Sequence, residues 1–466
     1  MWLLMSVLAR PGVAGVDADN LDRVLQAAAD RGELVAAVRV VDGDRVLLER
    51  GYGGASADAT CRIGSVTKSF TAGAVHALVD EGRLSIDEAI GDVLPEVHAR
   101  IGAGPSIEQL LSHHGGISDP QANPWMRPPT WEEQAGVMLP QLTQPDEPGD
   151  RYRYNNFGYT LLAAAVQSRA GEPFESVLRS RLFDPLGLHD SGIAAAPNRD
   201  ARLIRGRLPS AIGLLDVQHA LPRLIVYEHR WPMGGAGAMT SSPADLVRWA
   251  EGLRDGDILT DGARAALRTP YGDSDYASGW KVQDGRVWHN GALEPLGIYA
   301  YLRWSLQDDV VVAFCGTPGV GAVEPEWRKV IESALDGESV EPPTVTTGAL
   351  GHIAALSHLQ VHRLVGLLGI VGAGLLGRTR RGRLGVGLLG AAVALVGLGF
   401  THILAGVAAA GLALGAAIVR MRWARGAGSW IGVGLGGLAL AGAVVWTVLL
   451  GGFGWLVDNV WAVGGG

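Results

Sequence analysis

The chain has 466 residues, 48% of them hydrophobic and 67 of them glycine, which is enough for two or three domains. Its 39 basic and 47 acidic residues leave a net charge of −8, unevenly spread. Only eight arginines and one acid, Asp458, lie beyond residue 350, so the front is strongly acidic and the tail basic. An acidic front argues against nucleic acid as a partner, because phosphate binding needs a basic face.

Residues 1–19 form an N-terminal segment. Its apolar start, Met1 to Ala9, is short and has no preceding positive charge, so it reads at most as a signal remnant. Residues 20–335 carry the pattern of a folded domain. Val35–Val41, the turn signal Asp42-Gly43-Asp44 and Arg45–Arg50 predict a hairpin, and Gly51–Ala57 a loop. Cys61 and Cys315 have no C-x-x-C spacing and make no disulfide framework; they read as small core residues. Ser65 to about Glu81 shows helical spacing through Phe70, Ala74 and Leu78. Helical patterns recur at 106–113, 158–170, 175–182 and 243–254, and strand patterns at Val287–Gly291, Ile298–Trp304 and Val310–Cys315. Two early strands, a helical middle and three late strands predict an α/β (α+β) domain. Its one antiparallel sheet joins both chain ends, is flanked by helices, and receives a helical subdomain.

Residues 336–352 open with the linker composition D-G-E-S-V-E-P-P-T. Residues 353–457 are predicted to be an all-α transmembrane domain of three or four spans. Leu384–Val419, interrupted only by Thr401 and His402, suits two tight spans, and Ile431–Leu450 another. Leu364–Gly377 is a fourth candidate, short of the ~17 residues usually needed. The arginine clusters at 378–383 and 420–425 belong on the cytoplasmic side, and Trp430, Trp446 and Trp455 near the interfaces. Four spans place the preceding domain outside the cytoplasm and three place it inside; a multi-pass cell-membrane protein with an extracytoplasmic domain is the expectation. The run Gly432–Gly437 resembles a dinucleotide fingerprint, but close helix packing in lipid accounts for it.

Chemistry concentrates in R-I-G-S-V-T-K-S-F, residues 62–70. On a helix Ser65 and Lys68 share a face, so hydroxyl and amine meet. A serine hydroxyl is a weak nucleophile and needs a base. Lysine serves when its surroundings depress its pKa, whereas arginine does not deprotonate. Lys68, Lys281 and Lys329 are the chain's three lysines, so a lysine here is informative. A helix N-terminus also offers free N–H groups to an oxyanion. Two further elements follow: Y-x-N at Tyr154–Asn156, and H-x-G at His289–Gly291 on an expected strand.

The order S-x-x-K, Y-x-N, H-x-G resembles the serine β-lactamase and penicillin-binding-protein superfamily. It is most similar to the branch of class C β-lactamases, D-alanyl-D-alanine carboxypeptidases and esterases. The flanks L-L-S-H-H-G-G-I (110–117), L-F-D-P-L-G-L (182–188) and G-A-M-T-S-S-P-A-D-L (237–246) resemble it too. The resemblance covers about residues 20–335 and implies a β-lactamase/transpeptidase-like fold. It implies that Ser65 is acylated, that Lys68 is its base, and that Tyr154 relays the proton to the leaving group. Asn156 would bind the substrate amide, with His289, Asn290 and Gly291 on the substrate-binding strand. The N–H groups of Ser65 and Ala292 would form the oxyanion hole. No cofactor and no metal are implied; His113 and His114 read as structural, and no H-E-x-x-H occurs.

Two departures bear on substrate. His289 stands where β-lactamases usually carry Lys, and Asn290 where Thr or Ser is frequent. Both favour a peptidase or esterase over an efficient β-lactamase. Glu294 reads as a surface acid, or as a carboxylate favouring an amine-bearing substrate. The expected function is a membrane-tethered serine hydrolase acting through an acyl-serine on a small-molecule or peptide substrate, with the lipid bilayer as its other partner. The alternative is an acylatable or ligand-binding receptor domain that signals through the spans.

Overall fold

The computed structural model describes residues 16–120, 131–193, 202–204, 207–210, 213–216, 234–293, 297–317 and 324–343. The expected signal remnant, Glu294 and every expected membrane span lie outside the described residues. Among the described residues no helix is long and apolar enough to cross a membrane. The chain divides into two units, Met1–His352 and Ile353–Gly466, and the described residues belong to the first.

The strands are β1 (Val35–Asp42), β2 (Arg45–Tyr52), β3 (Cys61–Arg62), β4 (Gly192–Ile193), β5 (Arg207–Ser210) and β6 (Gly213–Asp216). They continue as β7 (Met239–Ser241), β8 (Lys281–Gln283), β9 (Arg286–Leu293), β10 (Ile298–Ser305) and β11 (Val310–Thr317). The main sheet has the order β2-β1-β11-β10-β9-β8 and is antiparallel throughout. The first hairpin thus pairs with the last strand, in register from Val35↔Thr317 to Asp42↔Val310. A small sheet, β3-β7-β4, and the pair β5-β6 stand apart from it.

Pleating sends alternate side chains to opposite faces. Ala36, Val38, Val40, Val310, Val312 and Phe314 join one core, whereas Ala37, Val41, Val311, Ala313 and Cys315 join the other. Because both faces are covered, β10 and β11 are buried at every position and read as long apolar runs. Strand β2 is one edge; its Arg45, Glu49 and Arg50 discourage pairing with another chain.

The five longest described helices are α1 (Ala18–Asp30), α2 (Thr67–Asp80), α3 (Asn156–Ala170), α4 (Pro243–Asp255) and α5 (Glu324–Leu335), of which α1, α4 and α5 pack on the sheet. Helices α1 and α5 were not expected, although α1 buries Leu21, Val24, Leu25 and Ala28 at helical spacing. They are fastened to each other: Asn20 Nδ2 donates to Ala334 O at 2.9 Å and Glu338 O at 2.8 Å. The helix expected from Ser65 begins instead as a 3-10 turn, Gly64–Val66, and becomes α-helical at Thr67. Helix α2 is buried from Thr67 to Leu78. Its Gly73 makes room for Trp249 of α4, since a Cβ there would stand 2.5 Å from the indole. Trp249 stacks on Phe70 with centroids 4.4 Å apart and donates Nε1–H to Ser69 Oγ at 3.0 Å.

The two cysteines are not independent core thiols. Cys61 and Cys315 form a disulfide between β3 and β11, with Cα atoms 6.0 Å apart. Partners 254 residues apart carry no spacing signal; only the sheet brings them together. The bond fastens the short strand that delivers Ser65 to the interior of the main sheet. Replacing both cysteines by alanine is expected to lower the unfolding free energy by roughly 2–5 kcal/mol. Denaturant unfolding reads this, and a midpoint unaffected by either the substitution or a reductant would contradict it.

Candidate active site

The site begins with two glycines. Gly64 has φ +48, and Gly291 lies in β9. A Cβ on Gly291 would fall 1.9 Å from Ile63 O and 2.8 Å from Ser65 N. A Cβ on Gly64 would fall 3.2 Å from Gly291 Cα and 3.3 Å from Ala292 N. Backbone therefore packs directly on backbone, and the N–H groups of Ser65 and Ala292 lie on the two segments that touch. Side chains at either position would separate them.

Lys68 projects from the first turn of α2 and is fully buried. Its Nζ stands 3.2 Å from Ser65 Oγ, 2.8 Å from Asn156 Oδ1 and 2.9 Å from Ala236 O. The amide and carbonyl oxygens only accept. A neutral amine would spend both N–H groups on them and turn its lone pair to the serine hydroxyl. The rings of Tyr154 and Tyr159 flank the amine, with centroids 4.7 Å and 5.5 Å from Nζ.

Asn156 opens α3, and its place is set by caps. Asn155 accepts from Gly158 N at 2.7 Å and donates to Ile117 O at 2.9 Å. Asp119 accepts from Phe157 N at 2.8 Å, and burial raises its carboxyl above the usual range. The Ala236 carbonyl comes from the turn Gly234–Gly237, which packs tightly. A Cβ on Gly235 would meet Tyr159 O at 2.4 Å, and Thr71 Oγ1 donates to Gly235 O at 2.7 Å.

His289 is buried on β9 beside this centre. Its Nδ1 lies 2.6 Å from Asn290 O and its Nε2 2.9 Å from Tyr276 Oη. A carbonyl only accepts, so Nδ1 carries the proton. Burial first, then the charge of Lys68, lowers the ring pKa to about 3, so the imidazole is neutral. Nε2 then accepts from the Tyr276 hydroxyl. Both nitrogens are engaged within the protein, and the ring has no further N–H for a ligand.

Ser65, Lys68 and Asn156 are thus in hydrogen-bond contact, Tyr154 lies against the amine, and Gly291-Ala292 abuts Ser65. Asn290 is buried next to them. His114 is held by Ser112 O at 2.9 Å and stands against Tyr271. Among the described residues no group of three or more His, Cys, Asp or Glu is placed to hold a metal ion. Sequence reasoning missed two participants. The Ala236 carbonyl was signalled by its glycine-rich run, a mark of close backbone approach. Tyr276 carried no signal, because its role exists only once β9 is beside it.

Known proteins resemble this chain in sequence and fold. The model of the beta-lactamase family matches residues 21–328. Penicillin-binding protein 4 of Amycolatopsis lactamdurans is 30% identical over 315 residues, covering 60% of this chain and 79% of its own. Esterase EstB of Burkholderia gladioli is 27% identical, covering 61% and 86%. The crystal structure of D-amino acid amidase from Ochrobactrum anthropi SV3 superposes with a TM-score of 0.56 at 23% identity, covering 68% and 96%, and is similar in fold.

Gly291→Ala is expected to slow acylation of Ser65 by an electrophilic probe about 10²-fold or more, because the two N–H groups are pushed apart. Circular dichroism should show a folded protein. Wild-type labelling kinetics in the variant would contradict the close approach.

Proposed function

The chain belongs to the beta-lactamase family, and on that premise we propose that it is a membrane-tethered serine hydrolase that turns over a peptide, amide or ester through an acyl-Ser65 intermediate. One observation carries the proposal. The buried Lys68 amine stands 3.2 Å from Ser65 Oγ and is held by two oxygens that can only accept, from Asn156 and Ala236.

In this reading Lys68 takes the hydroxyl proton as Ser65 attacks the acyl carbonyl. The N–H groups of Ser65 and Ala292 hold the oxyanion that develops. The Tyr154 phenol passes the proton to the leaving group, and later draws one from the water that releases the acyl group. Asn156, its oxygen held by Lys68, offers its amide N–H to the substrate. Strand β9 supplies backbone contacts through Asn290 and Gly291. His289 supports that strand rather than contacting the substrate through its ring. A neutral imidazole in place of an ammonium supports a peptidase or esterase over an efficient β-lactamase, since neither it nor Asn290 greets a carboxylate as a lysine and a hydroxyl would.

The test is covalent labelling with a fluorophosphonate or a penicillin probe. Ser65→Ala should abolish labelling, and Lys68→Arg should slow it by about 10²-fold or more, because arginine cannot accept the proton. Labelling that persists in Ser65→Ala would sink the assignment. A labelled protein that never turns over an ester or peptide would be a receptor instead.

The tail, residues 353–457, is read as the membrane anchor, with the catalytic domain on the extracytoplasmic side. Its apolar runs and arginine clusters support three or four spans, and four give that sidedness. The Cys61–Cys315 disulfide supports the sidedness, because such bonds persist in oxidising compartments. Reporter fusions near Pro342 check it. An export-dependent phosphatase should be active there, and activity of a cytoplasm-only reporter would reverse the topology.

A further inference from the structure

We infer that His113 is a positioning residue that holds Tyr154 in its working orientation, an inference that rests on the catalytic reading of Tyr154 above. His113 follows the short helix Ile107–Leu111 and turns the chain with φ +63. A non-glycine residue rarely adopts that conformation, so something must require the side chain there. The turn aims two acceptors at one segment. His113 O accepts from Arg153 N at 2.8 Å, and His113 Nδ1 accepts from Asn155 N at 3.1 Å. These two bonds fall on the residues either side of Tyr154.

The ring completes the clamp. It lies 4.2 Å from the Tyr154 ring, tilted by 41°, and it also meets Tyr276 at 4.5 Å and Tyr159 at 5.1 Å. Because Nδ1 accepts, the proton of the neutral ring sits on Nε2. That N–H is buried and finds no hydrogen-bond partner among the described residues. An apolar ring would pack here without leaving a polar group unmet, so packing alone does not explain a histidine. The acceptor at Nδ1 does. Burial and the neighbouring Lys68 charge keep the ring neutral, which preserves that acceptor. Tyr154 is thereby gripped through its two neighbours and its ring, which stands 4.7 Å from the Lys68 amine.

The experiment uses the full chain, a fluorophosphonate probe and p-nitrophenyl acetate. His113→Gly removes ring and acceptor without backbone strain. His113→Asn tolerates the left-handed turn and keeps an oxygen near the position of Nδ1. The glycine variant should lose about 10-fold or more in kcat with KM changed little, and the asparagine variant should recover most of the loss. If the glycine variant does not fold, His113→Ala takes its place; it too lacks ring and acceptor, and its added backbone strain at φ +63 is read separately by denaturant unfolding. In a Tyr154→Phe background the same substitutions should have little further effect, since the group being positioned is gone. Equal impairment of the glycine and asparagine variants, or an undiminished effect in Tyr154→Phe, would overturn the inference. A wild-type chain that is not labelled at Ser65 would overturn the catalytic reading itself, a separate outcome.

Discussion

A lysine with no exposure to water must find its partners inside the protein, and the architecture around Ser65 answers that need. Lys68 Nζ is met by oxygens from three separate segments: the turn of Ser65, the first residue of α3 and the carbonyl of Ala236. An unmet buried amine costs far more than any one of these bonds contributes. The three segments are therefore held to one another through a single atom. The glycines at 234–237 and the caps of α3 let that convergence occur without strain.

The second constraint is steric. Strand β9 reaches the turn of Ser65 because Gly64 and Gly291 lack side chains where backbone meets backbone. The sheet makes that contact rigid. Strands β10 and β11, covered on both faces, anchor β9 on one side and the first hairpin on the other. The Cys61–Cys315 disulfide ties β3, and so the approach to Ser65, to the same sheet. Placement of the two N–H groups is thus a property of the whole domain.

Electrostatics around the site follow one rule: the buried histidines near Lys68 are neutral. His113 and His289 are both depressed, chiefly by burial and next by the Lys68 charge. Each uses one ring nitrogen as an acceptor, from Asn155 N and from the Tyr276 hydroxyl. Imidazoles here act as acceptors toward a tyrosine hydroxyl and a backbone N–H.

Much of this was legible in the chain. The spacing of Ser65 and Lys68, the scarcity of lysine, and the motifs at Tyr154–Asn156 and His289–Gly291 pointed to the family, because they depend on local residue types and their order. The hairpin, α4 and the late strands followed from periodicity and turn residues for the same reason. Helices α1 and α5 escaped although α1 shows helical spacing, and the start of the Ser65 helix was placed too early, since a 3-10 turn and an α-helix share their first spacings. Four things were decided only by tertiary structure: the disulfide across 254 residues, the Ala236 carbonyl on Lys68, the Tyr276–His289 bond, and the grip of His113 on residues 153–155. Each joins groups 13 to 254 residues apart that meet only in the folded chain, so periodicity and motif spacing do not announce the pairing. The sheet joins the two ends of the domain at the disulfide, and packing of the helical middle makes the contacts of Ala236 and His113.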